Sequence, residues 1–145
     1  MAQIKPMYEV VNEFPVIAQE LMNKYPEQFQ DIDIAKVRCY SVVNKERKEG
    51  AQFFKIQVCP EPFDIDCPYK FGVVVYEDDW VDMPESNRAL LVAAILFALN
   101  GSDVNGGKVN RPDLKDYSPM IRTFGMDYLT EEVIDIIESD VTWKD

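Results

Sequence analysis

Carboxylates and thiols are the side chains able to do chemistry in this chain, because its 145 residues include no histidine. Without an imidazole base, a serine or cysteine nucleophile activated by histidine is excluded, and there is no glycine-rich phosphate loop. The three cysteines form no CxxC pair, which argues against a disulfide framework and a cysteine-only zinc site. We therefore expect buried thiols at Cys39, Cys59 and Cys67.

Paired carboxylates are the remaining chemical candidates, at Asp64 with Asp66 and at Asp78 and Asp79 with Asp82. Such pairs can chelate Mg²⁺ weakly or act as an acid and a base. Runs of charge are more often a solvated surface than a site, so solvated loop acids are the simpler interpretation. The sequence thus predicts no catalytic residue, no metal ligand and no cofactor.

The net charge of −11 is distributed unevenly along the chain. Residues 1–60 hold eight basic and eight acidic side chains, whereas residues 61–145 hold seven basic and eighteen acidic ones. Such a balance excludes ordinary binding to a phosphate backbone, which needs lysine and arginine to replace counterions. It favours a basic protein partner, or serves solubility alone.

Two acidic surfaces are the candidate partner-binding sites. Carboxylates in the first surround a tryptophan that the sequence suggests is exposed, and the second is a row spaced as on one face of a predicted last helix. A row of carboxylates can imitate the phosphates of a nucleic acid and occupy a basic groove, although amphipathic helices also expose acids without any partner. The candidates are Glu77, Asp78, Asp79, Trp80, Asp82 and Glu85, and then Glu131, Asp135 and Glu138.

Apolar spacing predicts the elements that position these residues. Residues 10–25 have helical spacing, with a start near Asn12 or a bend at Pro15. Residues 35–43 and 51–59 are predicted to form an antiparallel hairpin around the charged turn NKERKEG, and residues 69–76 a third strand.

Eleven consecutive apolar residues, 89–99, follow a helix start at Pro84 and Glu85. A helix that is apolar on every side must lie inside the fold. Further along, we expect a turn at 105–107, a helix over 112–124 capped by Gly125, and a last helix from Thr130. The fold class is therefore α+β, a small sheet of about three strands with a buried central helix and flanking helices, in a single domain over residues 1–145.

The order of these elements resembles the phage-type metallopeptidase family, a minimal zincin-like fold, over roughly residues 10–128. The resemblance rests on VVYEDDW, ESNRALLVAAILFALNG and KVNRPDLKDYSPMIRTFG. In that family the central helix carries HExxH, and a His-Asp pair follows. The resemblance places the two zinc histidines at Ala93 and Phe97, the catalytic glutamate at Ala94, and the later pair at Pro112 and Asp113.

Only Asp113 keeps the residue type of that motif, so the resemblance implies a pseudoenzyme. A hydrolytic zinc site needs about three nitrogen, sulfur or carboxylate ligands and a general base, and alanine and phenylalanine offer no lone pairs. We expect a non-catalytic acidic protein of phage type that binds and inhibits a host protein with a basic surface. A nucleic-acid-binding immune nuclease, such as a CRISPR effector, is one such host protein.

Two alternatives remain at this point, a divergent metal-dependent hydrolase that uses carboxylates and a structural or assembly protein. The N-terminus lacks a signal-peptide pattern, and the apolar run is about half the roughly 20 residues that a membrane span needs. We therefore expect a soluble protein in the cytoplasm, that of the host cell if a phage encodes it. Direct binding to nucleic acid or to a membrane is not expected, and the sequence leaves the oligomeric state open.

Overall fold

A computed structural model of the chain describes residues 5–45, 53–103, 109–110, 118–124 and 135–143. The described strands are β1 (Met7–Val10), β2 (Val37–Val43), β3 (Phe54–Val58) and β4 (Phe71–Tyr76). The described helices are α1 (Glu13–Lys24), α2 (Glu77–Asp82), α3 (Glu85–Leu99) and α4 (Ser118–Phe124). This mixture confirms the α+β class, with four strands in place of about three.

The four strands form one sheet in the order β1-β2-β4-β3, in which β2 and β4 are parallel and the other pairs are antiparallel. The predicted hairpin between β2 and β3 is wrong, because β4 lies between them. Of β2, β3 and β4, the most apolar strand is β4, FGVVVY, and it lies inside the sheet. Strand β3 lies at an edge, where polar side chains such as Lys55 and Gln57 are common. The parallel pair needs a long connection, and β3 lies within it.

The apolar spacing does not predict β1, and it assigns the last residue of this strand, Val10, to the first helix. Strand β1 ends at Val10, and α1 begins after Asn12, which confirms the predicted start. Pro15 lies in the first turn of α1, where backbone N–H groups have no partner within the helix. The proline therefore fits there without a bend.

Helix α3 confirms the prediction of a buried central helix. Residues 89–99 are all buried, and they share one core with α1 and with the inner face of β2 and β4. Burying each large aliphatic side chain contributes about 1.5–3 kcal/mol relative to leaving it in water. The helix ends at Leu99, and the side chain of the next residue, Asn100, accepts from the Gln30 N–H and donates to the Gln28 carbonyl.

Only part of the predicted C-terminal structure falls within the described residues. Residues 118–124 are helical, as expected for the helix over 112–124, whereas residues 112–117, the turn at 105–107, Gly125 and residues 130–134 lie outside the described part. The prediction that the last helix continues through residues 135–139 is wrong, because these residues form a turn. Asp135 closes that turn, since its carboxylate accepts from the Ile137 N–H at 2.9 Å and its carbonyl from the Ser139 N–H at 2.8 Å.

The expectation of buried thiols holds for Cys39, whereas Cys59 is half-buried and Cys67 is exposed. Burial raises the pKa of the Cys39 thiol to about 12, so this side chain stays protonated and packs as a small apolar group. Among the described residues, no helix is both long and apolar enough to cross a membrane.

Candidate functional site

The resemblance assigns the two metal ligands and the base to three residues of α3. Ala93 and Phe97 lie one turn apart on the same face, and Ala94 follows Ala93. Both alanines are fully buried and Phe97 is 8% exposed. This face of the helix is therefore closed to water.

An aromatic cluster covers Phe97. Its ring centroid lies 4.9 Å from that of Phe29 and 5.4 Å from that of Trp143. Trp143 also meets Phe29, Phe124 and Tyr25 at 5.8, 5.3 and 5.6 Å, each nearly edge to face. These are favourable arrangements for aromatic pairs, so Trp143 joins the end of α1, the end of α3 and α4 in one apolar contact.

The C-terminal segment that carries Trp143 is held by the end of α1. Lys24 Nζ donates to the carbonyls of Ile137 and Ser139 at 2.7 and 2.9 Å. The Tyr25 hydroxyl donates to the Ile136 carbonyl at 2.7 Å. Burial is the largest effect on this phenol and raises its pKa, which keeps the hydroxyl protonated as a donor.

These residues do not fit a zinc ion. The methyl groups of Ala93 and Ala94 and the ring of Phe97 have no lone pairs, and the rings of Phe29 and Trp143 pack beside Phe97. Within the described ranges, no group of three histidine, cysteine, aspartate or glutamate side chains is placed to hold a metal. Pro112 and Asp113, the later pair of the resemblance, lie outside those ranges.

The residues of the first predicted acidic surface come together on and beside α2. Asp78, Asp82 and Glu85 are exposed, and Glu77 and Asp79 are half-buried. We call these five residues the α2 acidic surface. It lies at one end of the sheet, because α2 follows β4 directly and contacts both β4 and β2.

Trp80 corrects the prediction of an exposed aromatic at the centre of that surface. The side chain is 6% exposed, because α2 turns Trp80 and Met83 inward together. The i, i+3 spacing of those two apolar residues is a signal that the sequence contains. Val81, which is 57% exposed, is the large apolar side chain of α2 that faces water.

Arg88 attaches the α2 acidic surface to the core, and the sequence interpretation missed it. Its Nε donates to the Trp80 carbonyl at 2.8 Å, and its guanidinium carbon lies 5.3 Å from the centre of the Trp80 ring. Its Nη1 forms an ion pair with Glu13 Oε2 at 3.1 Å. Arg88 is the one basic residue between positions 77 and 99, a signal visible in the sequence.

The structure does not assemble the second predicted surface as a helical row. Asp135 and Glu138 lie in the turn that precedes the C-terminal segment, with the Asp135 carboxylate directed at backbone N–H groups, and Glu131 lies outside the described residues. The spacing i, i+4, i+7 therefore has no meaning here as one face of a helix. Glu138 is exposed at this turn.

Comparison with known proteins identifies one family. The family model described as "Putative phage metallopeptidase" matches residues 6–139, which is most of the chain. No curated protein and no solved structure matches this chain.

Proposed function

We propose that this chain, which belongs to the putative phage metallopeptidase family, is a non-catalytic member of it and inhibits a protein partner by binding that partner. The aromatic cluster against α3 is the observation that carries the proposal. Hydrolysis at the family's helix needs a ligand set, a base and an opening for substrate. Here Ala93, Ala94 and Phe97 supply none of the three, and Trp143 closes the position from the side.

The surface offered to the partner is the α2 acidic surface. Its carboxylates project from a short helix whose inner side is fixed by Trp80 and Arg88, so the charges have a defined position. Negative charge on a rigid support favours a basic partner by speeding encounter and selecting against acidic surfaces. Val81 adds an apolar contact among the acids.

The inhibited partner is a host protein whose basic groove normally holds nucleic acid, such as an immune nuclease in the cytoplasm. A groove of this kind binds phosphates through lysine and arginine, and a compact group of carboxylates competes for the same side chains. The net charge of the chain, −11, disfavours direct binding of the chain to nucleic acid.

Charge reversal tests the proposal. The chain and its variants are used to capture partners from host lysate, and the affinity of a captured protein is then measured. Asp78→Lys, Asp79→Lys and Asp82→Lys together should weaken binding at least about tenfold, and binding of the unmodified chain should fall as salt rises from about 0.05 to about 0.5 M. Glu20→Lys, Glu27→Lys and Glu61→Lys form a matched control, because they make the same change of net charge at exposed positions outside α2.

Equal loss in both triple variants would mean that net charge alone matters and would contradict a defined site. Binding indifferent to salt and to both variants would contradict a basic partner. Stable self-association without a captured partner would favour the structural or assembly alternative. A stoichiometric divalent ion that survives dialysis, found by elemental analysis, would favour the metal-dependent hydrolase.

A further inference from the structure

Strand β1 is an edge strand of the sheet within the described part of the chain. Among the described strands it pairs with β2 alone, since β1 is the first in the order β1-β2-β4-β3. All four of its residues are exposed, with Met7 at 59%, Tyr8 at 51% and Val10 at 38%. Apolar side chains on an open strand edge are unusual in a protein that stays monomeric, because such an edge can pair with another chain.

The phase of the hydrogen bonds shows which groups of β1 face outward. In an antiparallel pair, residues alternate between those that bond the neighbouring strand and those that do not. The N–H of Val11 donates to the carbonyl of Cys39 at 2.9 Å, and Glu9 shares the phase of Val11. The N–H and C=O groups of Tyr8 and Val10 therefore point away from β2, toward the open edge.

The two edges of the sheet carry similar charge but differ in what lies at their ends. Strand β3, at the opposite edge, carries Lys55 and is followed by a loop with the acids Glu61, Asp64 and Asp66 that ends at Lys70. Strand β1 carries Glu9, follows Lys5 and precedes Glu13. Because β1 is antiparallel to β2, its first residue lies at the end of the sheet where α2 begins, which brings the α2 acidic surface close to this edge.

We infer that the open edge of β1 binds an extended basic segment of the protein partner as an added strand, an inference that rests on the proposed function. Backbone hydrogen bonds from Tyr8 and Val10 hold the segment, the exposed Met7, Tyr8 and Val10 side chains contact its apolar residues, and nearby carboxylates pair with its lysine or arginine residues. A second copy of this chain is a poorer occupant, since two copies with a net charge of −11 repel each other.

A backbone variant isolates the hydrogen bonds from the side chains. Val10→Pro removes an outward N–H but no hydrogen bond to β2, and Val10→Ala is its matched control because it shortens the side chain and keeps the N–H. The probe is a labelled ten-residue peptide of alternating lysine and valine. Val10→Pro should bind the probe about tenfold more weakly than Val10→Ala, the loss expected for about one hydrogen bond.

Two further measurements do not depend on how well the proline variant folds. A probe that is N-methylated at every residue keeps its charge but loses the donors of both of its edges, and it should bind the unmodified chain at least about tenfold more weakly. Hydrogen exchange at the Tyr8 and Val10 amides, followed by NMR, should slow when the unmethylated probe binds. The Glu9 amide already bonds β2 and serves as the internal control.

The outcomes separate this inference from the proposed function. If reversal of Asp78, Asp79 and Asp82 weakens binding while Val10→Pro, N-methylation and exchange show no effect, the strand-edge inference is overturned and the acidic surface stands. If the edge measurements respond and charge reversal does not, the acidic surface fails and the edge stands. Absence of probe binding, or protection of Tyr8 and Val10 that grows with protein concentration alone, overturns the inference.

Discussion

Helices α2 and α3 are separated by only Met83 and Pro84, yet they differ strongly in how much of their surface is exposed to water. Of the six residues of α2, four are acids, and its buried residue is Trp80. From residue 89 onward, α3 has no polar side chain and no exposed residue. In this member of the putative phage metallopeptidase family, residues 89–99 of α3 thus belong to the packed core, and the charged groups are on the neighbouring helix.

This comparison shows why restoring a motif differs from restoring a site. A ligand must be reachable by its metal and supported by neighbours that accept its charge. Residues 89–99 of α3 lie within the hydrophobic core, and the aromatic cluster packs beside Phe97. The core and the motif exclude each other at these positions.

The largest effect on stability is expected when the residues of the HExxH motif are introduced into α3. Ala93→His, Ala94→Glu and Phe97→His together should destabilise the fold by about 5 kcal/mol or more, because they bury unpaired polar groups and remove a packed ring. Urea unfolding followed by circular dichroism measures this loss, and elemental analysis should find no bound zinc. Phe97→Leu, which stays apolar, should cost far less. A triple variant that melts within a degree or two of the parent would show that α3 is exposed.

The second effect concerns the aromatic cluster. Trp143→Ala should destabilise the fold by about 3 kcal/mol, because four rings lose their common neighbour, whereas Trp143→Phe should recover much of that loss. The control is Phe63→Ala, since Phe63 is 70% exposed and its loss should change stability by less than about 0.5 kcal/mol. Equal effects at Trp143 and Phe63 would mean that the C-terminal segment does not pack on α3.

The contrast between α2 and α3 also separates what the sequence predicts from what it does not. Eleven apolar residues in a row admit only a buried helix, so α3 follows from composition. The spacing of Trp80 and Met83 predicts that Trp80 is buried, whereas the number of acidic residues around it favours the opposite prediction of exposure. The order of the strands cannot be predicted from the sequence. Strands that are neighbours in sequence favour a hairpin, but the apolar β4 buries more surface when it lies inside the sheet.

The aromatic cluster lies furthest from prediction. Phe97 and Trp143 are distant in sequence, and no periodic pattern connects them. Their contact depends on the turn at residues 135–139 and on the hydrogen bonds from Lys24 and Tyr25 to its carbonyls. Such side-chain to backbone contacts leave almost no sign in the order of residues.

The smallest effect is expected where the two helices are joined, at Arg88. Arg88→Met should destabilise the fold by about 1–2 kcal/mol, because it removes the donor to the Trp80 carbonyl and a partly exposed ion pair with Glu13. Glu13→Gln removes only the charge of the ion pair and should cost about 0.5 kcal/mol or less, a difference that disappears at about 0.5 M salt. Thermal unfolding of the two variants at low and high salt measures both terms.

Partner binding should respond to Arg88→Met in the opposite direction from stability. The substitution removes a positive charge beside the α2 acidic surface, so affinity for a basic partner should stay equal or rise slightly. If affinity instead falls as far as it does after reversal of Asp78, Asp79 and Asp82, then the orientation of α2, held by Arg88, determines binding more than its charge does. That result would make the contact between the two helices part of the binding site, and it would end the division between a packing helix and a binding helix.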